Sequence, residues 1–402
     1  MVRQSTTRSV NGKDLFKQEI IQSIDQVSAH EWNRCVPSDC PFLRHEFLNA
    51  MEQSGCVSEE TGWRPMHIVL RISDCQDSRL AGALPLYRKY HSWGEFIFDW
   101  QWENAYFRHG VQYYPKLVSV SPFTGLPAPK LLTAPDAPTD EVRNLLTESC
   151  LSEASHSDLS SLHLLFLNPD ELDFFASKDL IPRRSNISFV WTNNDYRSMD
   201  EFLSTLSSRK RKKIKHERKT IGEQGIEIKV IPGTDMQDYH WRSFHLCYYS
   251  TTRKYDSFRY LNRKFFQMIR ESIPENLLLI IAERDDRPVA SGLFYQGGGK
   301  LYGRYWGALE FVPNLHFEIC YYSAIEYCIE NGFSQCHAGV QGTHKLSRGF
   351  MPEVCYSAHM FNNLQFSEAI RHYTTEESHS VDVRQEYLSD FSAYAKGSKA
   401  GN

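Results

Sequence analysis

The chain has 402 residues, with 45 Lys and Arg against 49 Asp and Glu and a formal net charge of −4. That length exceeds one ordinary hydrophobic core and predicts two domains of about 150–200 residues each. A composition 41% hydrophobic and 23% charged excludes wholesale disorder, and the slightly acidic balance confines any polyanion contact to a local patch.

In chain order, residues 1–15 read as a flexible tail, followed by a strand-like stretch at 16–24. Residues 41–54 carry Phe42, Leu43, Phe47, Leu48 and Met51 at helical spacing, ending at Gly55. Residues 67–72 and 80–86 alternate like paired strands across the polar turn 73–79. A helix at 140–156 and a buried strand at 162–167 complete a mixed α/β domain spanning 16–185. The second domain, 186–390, opens with 199–206 and a basic helix at 208–222. A strand at 226–231 and helices near 236–249 and 262–272 follow. Strands at 277–284, 288–296 and 300–306, joined by Asp285-Asp286-Arg287 and Gly297-Gly298-Gly299, read as an antiparallel meander. A helix at 315–331 stops at Gly332, ahead of a strand at 335–340 and a distinctive loop at 341–352. Residues 391–402 read as a flexible C-terminal tail. The order of elements in the two halves hints at two copies of one fold.

The ten cysteines are scattered with no CxxC pair, which fits a reducing compartment. The polar N-terminus shows no secretory pattern, and the longest apolar run, 277–282, is too short to span a bilayer. A cytoplasmic protein without a membrane span is expected.

Chemistry concentrates in the strip 302–350. Gly303-Arg304-Tyr305-Trp306-Gly307 frames a charged fork and two aromatics with glycines, which suits close approach to a ligand or tight packing of a central strand. His316 and Glu318 lie in the first turn of the 315–331 helix. Phe317, Cys320, Tyr321, Ala324 and Cys328 form its buried stripe, and a wheel of about 100° per residue puts Glu318 at that stripe's edge. A half-buried carboxylate there suits deprotonation of an amine, and acids also favour helix N-termini for the macrodipole alone. Gly339 and Gly342 allow a sharp turn before His344, Lys345 and Arg348, donors fit for an oxyanion or a phosphate. No metal-ligand spacing is present.

Outside the strip, residues 209–219 hold eight Lys and Arg, including Lys212 and Lys213, and one acid. Such a field holds phosphates of a cofactor, a nucleotide or tRNA, or is a solvated helix face. Residues 85–100 alternate aromatic and polar groups, so Tyr87, His91, Trp93, Glu95 and Asp99, with Trp306, are candidates for a substrate groove. The crowding of His91, Ser92 and Asp99 on one short segment excludes a catalytic triad.

The segments PFLRHEFLNAMEQSG, TGWRPMHI, PLYRKYHSWGEFIFDWQW, YYPKL, PFTG, FLSTLSSRKRKKIKHERK, LYGRYWG, LHFEICYYSAIEYCIENG, AGVQGTHKLSRGFMP and YSAH, in order over residues 41–377, resemble the FemAB-like peptidoglycan biosynthesis/recognition family of predicted N-acyltransferases. The resemblance implies two tandem GNAT-like acyl-CoA N-acyltransferase domains of the Fem type, with the active site in the second. It implies transfer of an acyl or aminoacyl group from a CoA thioester or aminoacyl-tRNA to a small-molecule or peptide amine, with no tightly bound cofactor. Residues 209–219 become the tRNA-contacting candidate. A non-catalytic module that recognises a peptide or cell-wall precursor is the alternative. Where the resemblance leads to an acid before the AGxQG turn and to Glu after its second glycine, this chain carries His337 and Thr343. The proton acceptor is therefore expected at Glu318, His316 or His344. Hydroxyls would come from Tyr302 and Tyr305, and donor-holding groups from Arg304, Lys345, Arg348, Gly339, Gly342, Lys212 and Lys213. The RxxGxG pyrophosphate loop of acetyl-CoA-dependent GNAT enzymes is missing from the sequence.

Overall fold

The computed structural model describes residues 6–10, 14–73, 78–254 and 259–395. The chain forms two compact units. One comprises residues up to Asn186 together with Cys355–Val381, and the other Ile187–Val354 with the residues from Asp382 on. The first break falls one residue from the expected 185/186 boundary, whereas Cys355–Val381, expected in the second domain, belongs to the first unit. The three breaks fall inside elements, strands Ile181–Thr192 and Met351–Phe361 and helix Leu364–Ser389, so composition does not mark them.

In the first unit, Asp14–Ile21, His67–Ser73 and Ser78–Leu84 pair antiparallel. Leu132–Thr133 pairs beyond Ser78–Leu84, and Thr6–Val10 pairs beyond Asp14–Ile21. This last strand departs from the expected tail; the β-branched Thr6, Thr7 and Val10 favour extended backbone. The centre of the expected turn, 74–77, lies outside the described residues. Helix Thr139–Ala154 carries Asp140 and Glu141 in its first turn, where the macrodipole favours them. It packs Val142, Leu146 and Cys150 into a core with Phe16, Ile68, Leu70 and Leu84. Ser161–Leu167, buried along its whole length, pairs with Lys116–Ser119 on one side and with residues 356–361 on the other.

The second unit is built on the predicted meander. Glu227–Pro232, Leu277–Arg284, Arg287–Gly297 and Lys300–Ala308 pair antiparallel in succession. Asp285 and Asp286 take φ of 49° and 57° in one tight turn, and Gly298 and Gly299 take 51° and 74° in the next. Both are the paired positive φ values that a two-residue hairpin needs. A helical crossover then returns the chain to Gln335–His337, which lies parallel to Lys300–Ala308. Helix Asp238–Lys254 packs so closely on this sheet that a Cβ on Gly307 would sit 2.1 Å from the Cys247 carbonyl oxygen.

The crossover helix is interrupted. Leu315–Phe317 leads into a π-helical turn, Glu318–Tyr322, before the α-helix Ser323–Glu330. The expected loop after the last strand holds a 3-10 helix, Thr343–Arg348, bounded by Gly342 at φ 94° and Gly349 at φ 89°. Helix Leu364–Ser389 was not legible in the sequence, because its buried residues, such as Ile370, Val381 and Leu388, are too sparse to form a stripe. Among the described residues, no helix is long and apolar enough to cross a membrane.

Candidate functional site

Strand pairing positions a cleft in the second unit. Lys300–Ala308 and Gln335–His337 run together from Lys300/Gln335 to Tyr302/His337. Beyond that point the second strand ends, and the chain turns away through Gly339 at φ 78° and Gly342 at φ 94°. The opening left is a cleft of about 490 Å³ lined by Gly303–Trp306 on one side and Ala338, Gln341, Gly342, His344 and Lys345 on the other, with His316, Cys320 and Tyr321 also on its wall. On the strand's other edge, Leu293 faces Tyr305 but Phe294 faces Gly303, so Arg304 is the extra residue of a bulge. Bulges re-aim side chains, and Arg304 lines the cleft with its guanidinium carbon 5.5 Å from the Tyr305 ring. Tyr305 is held by the rings of Tyr248 and Phe266 at 5.7 and 5.6 Å. The glycine-framed motif thus divides its work: Gly307 permits helix contact, while Arg304, Tyr305 and Trp306 face the cleft.

Among the described residues, two imidazoles stand in this cleft without a carboxylate on its wall. Burial, reinforced by His344, Lys345 and Arg348, pushes the His316 imidazole down to about 4. Burial, then Arg348 and Lys345, also lowers the imidazole of His344. Both rings are therefore neutral near pH 7 and able to accept a proton. The Tyr321 hydroxyl lies 2.9 Å from His344 Nε2, fixing the ring, and the two imidazole centroids are 6.1 Å apart. In the sequence Tyr321 reads only as part of the apolar stripe; its helix position next to the turn was the signal available.

Three expected site residues do different work from that expected. Lys345 is buried and donates to the carbonyls of Ala338 and Gly339 at 2.5 and 3.1 Å, so its ammonium pins the glycine turn; burial lowers it to about 8. Arg348, 2% exposed, donates to both Glu217 carboxylate oxygens at 3.1 and 3.0 Å and to the His344 carbonyl at 2.9 Å. Tyr322 donates to the same carboxylate. Glu318 is drawn off the cleft into a separate recess, where it accepts from Arg218 Nε at 3.1 Å and from the Ser323 hydroxyl at 3.1 Å. The π turn is the physical reason: it puts Glu318 and Ser323, five apart, on one face, which a regular wheel does not. Burial raises the Glu318 carboxyl, opposed by Arg218.

The basic helix, Ser208–Glu223, buries Ile214, Glu217 and Ile221 and leaves Lys212, Lys213, Lys215 and Lys219 exposed. Its one acid within the cationic run, Glu217, is the inward residue that holds Arg348. Arg218 reaches Glu318 and Glu326, and Lys210 donates to Ser347 at 2.8 Å. His337 stacks on Tyr302 at 4.9 Å, both buried, and neither lines the cleft; Thr343 is exposed at the start of the 3-10 turn.

In the first unit the aromatic segment forms an interior hub where a groove was expected. Tyr87, Glu95 and Asp99 are buried. Lys116, fully buried, donates to Ser92 at 2.7 Å, to Glu95 at 2.9 Å and to Asp99, which also accepts from Tyr113 at 2.6 Å. Burial would raise Asp99, but Lys116 and these hydrogen bonds outweigh it and hold the carboxyl low. Glu95 has less support, and burial pushes it up to about 7. His91 bonds to the Thr61 carbonyl at 2.9 Å, while Trp93, 53% exposed, faces solvent beside the exposed rings of Phe98 and Trp100. Trp306 lines the cleft of the second unit. Among the described residues no group of three or more His, Cys, Asp or Glu side chains could hold a metal ion.

Residues 23–396 match the FemAB-like family, described as peptidoglycan biosynthesis/recognition. No curated protein matches the sequence. The chain is similar in structure to the C-terminal domain (DUF2156) of a putative lysylphosphatidylglycerol synthetase from Agrobacterium fabrum, with TM-score 0.52 and 8% identity, covering 85% of this chain and 94% of that one. It is also similar to FemX, with TM-score 0.51 and 12% identity over 86% of this chain and 98% of that one. A tandem GNAT protein from the clavulanic acid biosynthesis pathway aligns at TM-score 0.45 and 10% identity, covering 87% and 99%. The chain belongs to the FemAB-like peptidoglycan biosynthesis/recognition family and shares the fold of FemX.

Proposed function

We propose that the protein is an N-acyltransferase whose reaction takes place in the cleft of the second unit. The observation that carries the reading is a neutral His344, oriented by Tyr321, at the opening where two parallel strands part. With Nε2–H donating to the Tyr321 oxygen, the lone pair on Nδ1 takes the proton of the attacking amine. The amine nitrogen forms its bond to the donor's carbonyl carbon. The bond from that carbon to the leaving group, a CoA thiolate or the ribose oxygen of an aminoacyl-tRNA, breaks, and the leaving atom takes up a proton. His316, also neutral, stands ready as the second acceptor. Arg304, re-aimed by its bulge, faces the developing oxyanion or the donor's phosphates. Tyr305 positions the acyl carbonyl.

Glu318 anchors the basic helix in this reading and does not act as the base. The exposed Lys212 and Lys213 attract the phosphates of the donor, and the acceptor is a small-molecule or peptide amine. A reducing, cytoplasmic setting accords with the free thiols of the described cysteines. The test is a thermal-shift screen of the purified chain against CoA thioesters and aminoacyl-tRNA, followed by mass spectrometry of amine products. A stabilising donor and an acylated amine are expected. Stabilisation by a peptide or cell-wall precursor, with no acylated product from any donor, would make the protein a recognition module instead.

A further inference from the structure

A second hollow, of about 660 Å³, adjoins the cleft. Trp306 and His316, whose rings pack 5.1 Å apart, line both, so the two share a wall. Its wall is mostly carbon, with Thr251, Lys254, Glu310 and Asn314 among its polar residues. Leu309, Phe311, Val312 and Phe317 contribute carbon surface, and Ser250 of helix Asp238–Lys254 contributes a small side chain on the facing wall. Phe311 is 86% exposed, a large ring held in water at the rim. Two charged residues share this wall: Glu310, which is bridged to Arg284, and Lys254. Carbon surface with that volume suits an apolar ligand.

We propose that this groove holds a medium-to-long hydrocarbon chain on the acyl group being transferred. The inference rests on the acyl-transfer reading and names its substrate class. Three groups radiate from the reacting carbon. The amine must meet His344 on the cleft wall, and a phosphate-bearing leaving group belongs with the cleft's Arg304 and the cations of the basic helix. The acyl chain is the one substituent that gains from carbon walls, and the groove beside the shared Trp306 and His316 wall supplies them.

Calorimetric titration of the full chain with butyrate, decanoate and decylamine tests this. Decanoate is expected to bind at least ~10-fold more tightly than butyrate, from the extra methylenes buried. Ser250→Trp, which fills the groove, is expected to abolish the preference. So is Leu309→Asp, a change at a partly exposed position that adds charge without bulk and that guards against a misfolded first variant. Equal affinity for the two acids, or a preference intact in both folded variants, would overturn the groove. Decylamine binding more tightly than decanoate, and losing that in the same variants, would overturn assignment to the acyl donor. Titration is independent of turnover: chain-length preference in a protein that acylates no amine would remove the transfer reading and leave the hydrocarbon site.

Discussion

Glu217 shows how one residue can be read two ways. In the sequence it is the single acid in a run of eight cations, which makes it look incidental. In the fold it is the inward position of the basic helix and accepts from buried Arg348 and from Tyr322. Removing one member of a buried ion pair strands the other charge, so Glu217→Ala is expected to lower stability by about 3–5 kcal/mol. Lys213→Ala, at a side chain 57% exposed on the same helix, should change it by less than ~0.5 kcal/mol. Urea denaturation of the two variants checks the contrast, and a Glu217 variant as stable as the Lys213 variant would refute it. The types of the cleft residues were legible because arginine, histidine and glycine are uncommon in such density. Their partners were not, because Lys345 bonding to Ala338 and Gly339 and Glu318 bonding to Ser323 depend on a turn and a π-helical segment that spacing does not announce.

At the level of elements, the meander was legible nearly to the residue. Its apolar strands are separated by Asp-Asp and Gly-Gly turns with the φ values those residues tolerate. The interval Gly303–Gly307 was legible as a motif and ambiguous as a function, since glycine serves both packing and ligand approach. Geometry resolves it by position. Gly307→Ala would drive a methyl group into the backbone of helix Asp238–Lys254, and a loss of about 1–3 kcal/mol is expected. Gly303 has ordinary room, with 3.4 Å between the place a Cβ would occupy and its nearest neighbour, so Gly303→Ala should retain the stability that Gly307→Ala loses. Thermal melts of the pair measure this, and equal losses would mean that the motif is structural throughout. Helix Leu364–Ser389 left no such trace, because its buried face, Ile370, Thr374, Val381 and Leu388, holds too few apolar side chains to show a period in the sequence.

For the whole molecule, buried neutral histidines set the response to acid. In the first unit His163 and His359 share a 2.7 Å hydrogen bond and are both pushed well below the ordinary imidazole range by burial. In the second unit His316 is held at about 4. A group whose folded value is depressed contributes stability that is complete above its unfolded value, about 6.5, and is lost as pH falls toward the folded one. Each such ring is worth about 1.4 kcal/mol per pH unit in that window. The urea midpoint is therefore expected to fall markedly between pH 7.5 and pH 5, and less so in His163→Phe; a flat midpoint would contradict the assignment of neutral rings. The two-unit organisation was legible in length and element order. The return of Cys355–Val381 to the first unit was not, since its breaks lie inside a strand and a helix that carry no compositional mark.

The central claim is that His344 removes the proton of an amine in the cleft. It is tested most directly by the pH dependence of amine acylation, read by mass spectrometry, in the wild-type protein and in His344→Ala. The wild-type rate is expected to be on its plateau at pH 7.5 and to fall below pH ~6.5 as the imidazole protonates. His344→Ala should be at least ~100-fold slower and lack that acid limb. A variant that keeps both the wild-type rate and the acid limb would contradict the account.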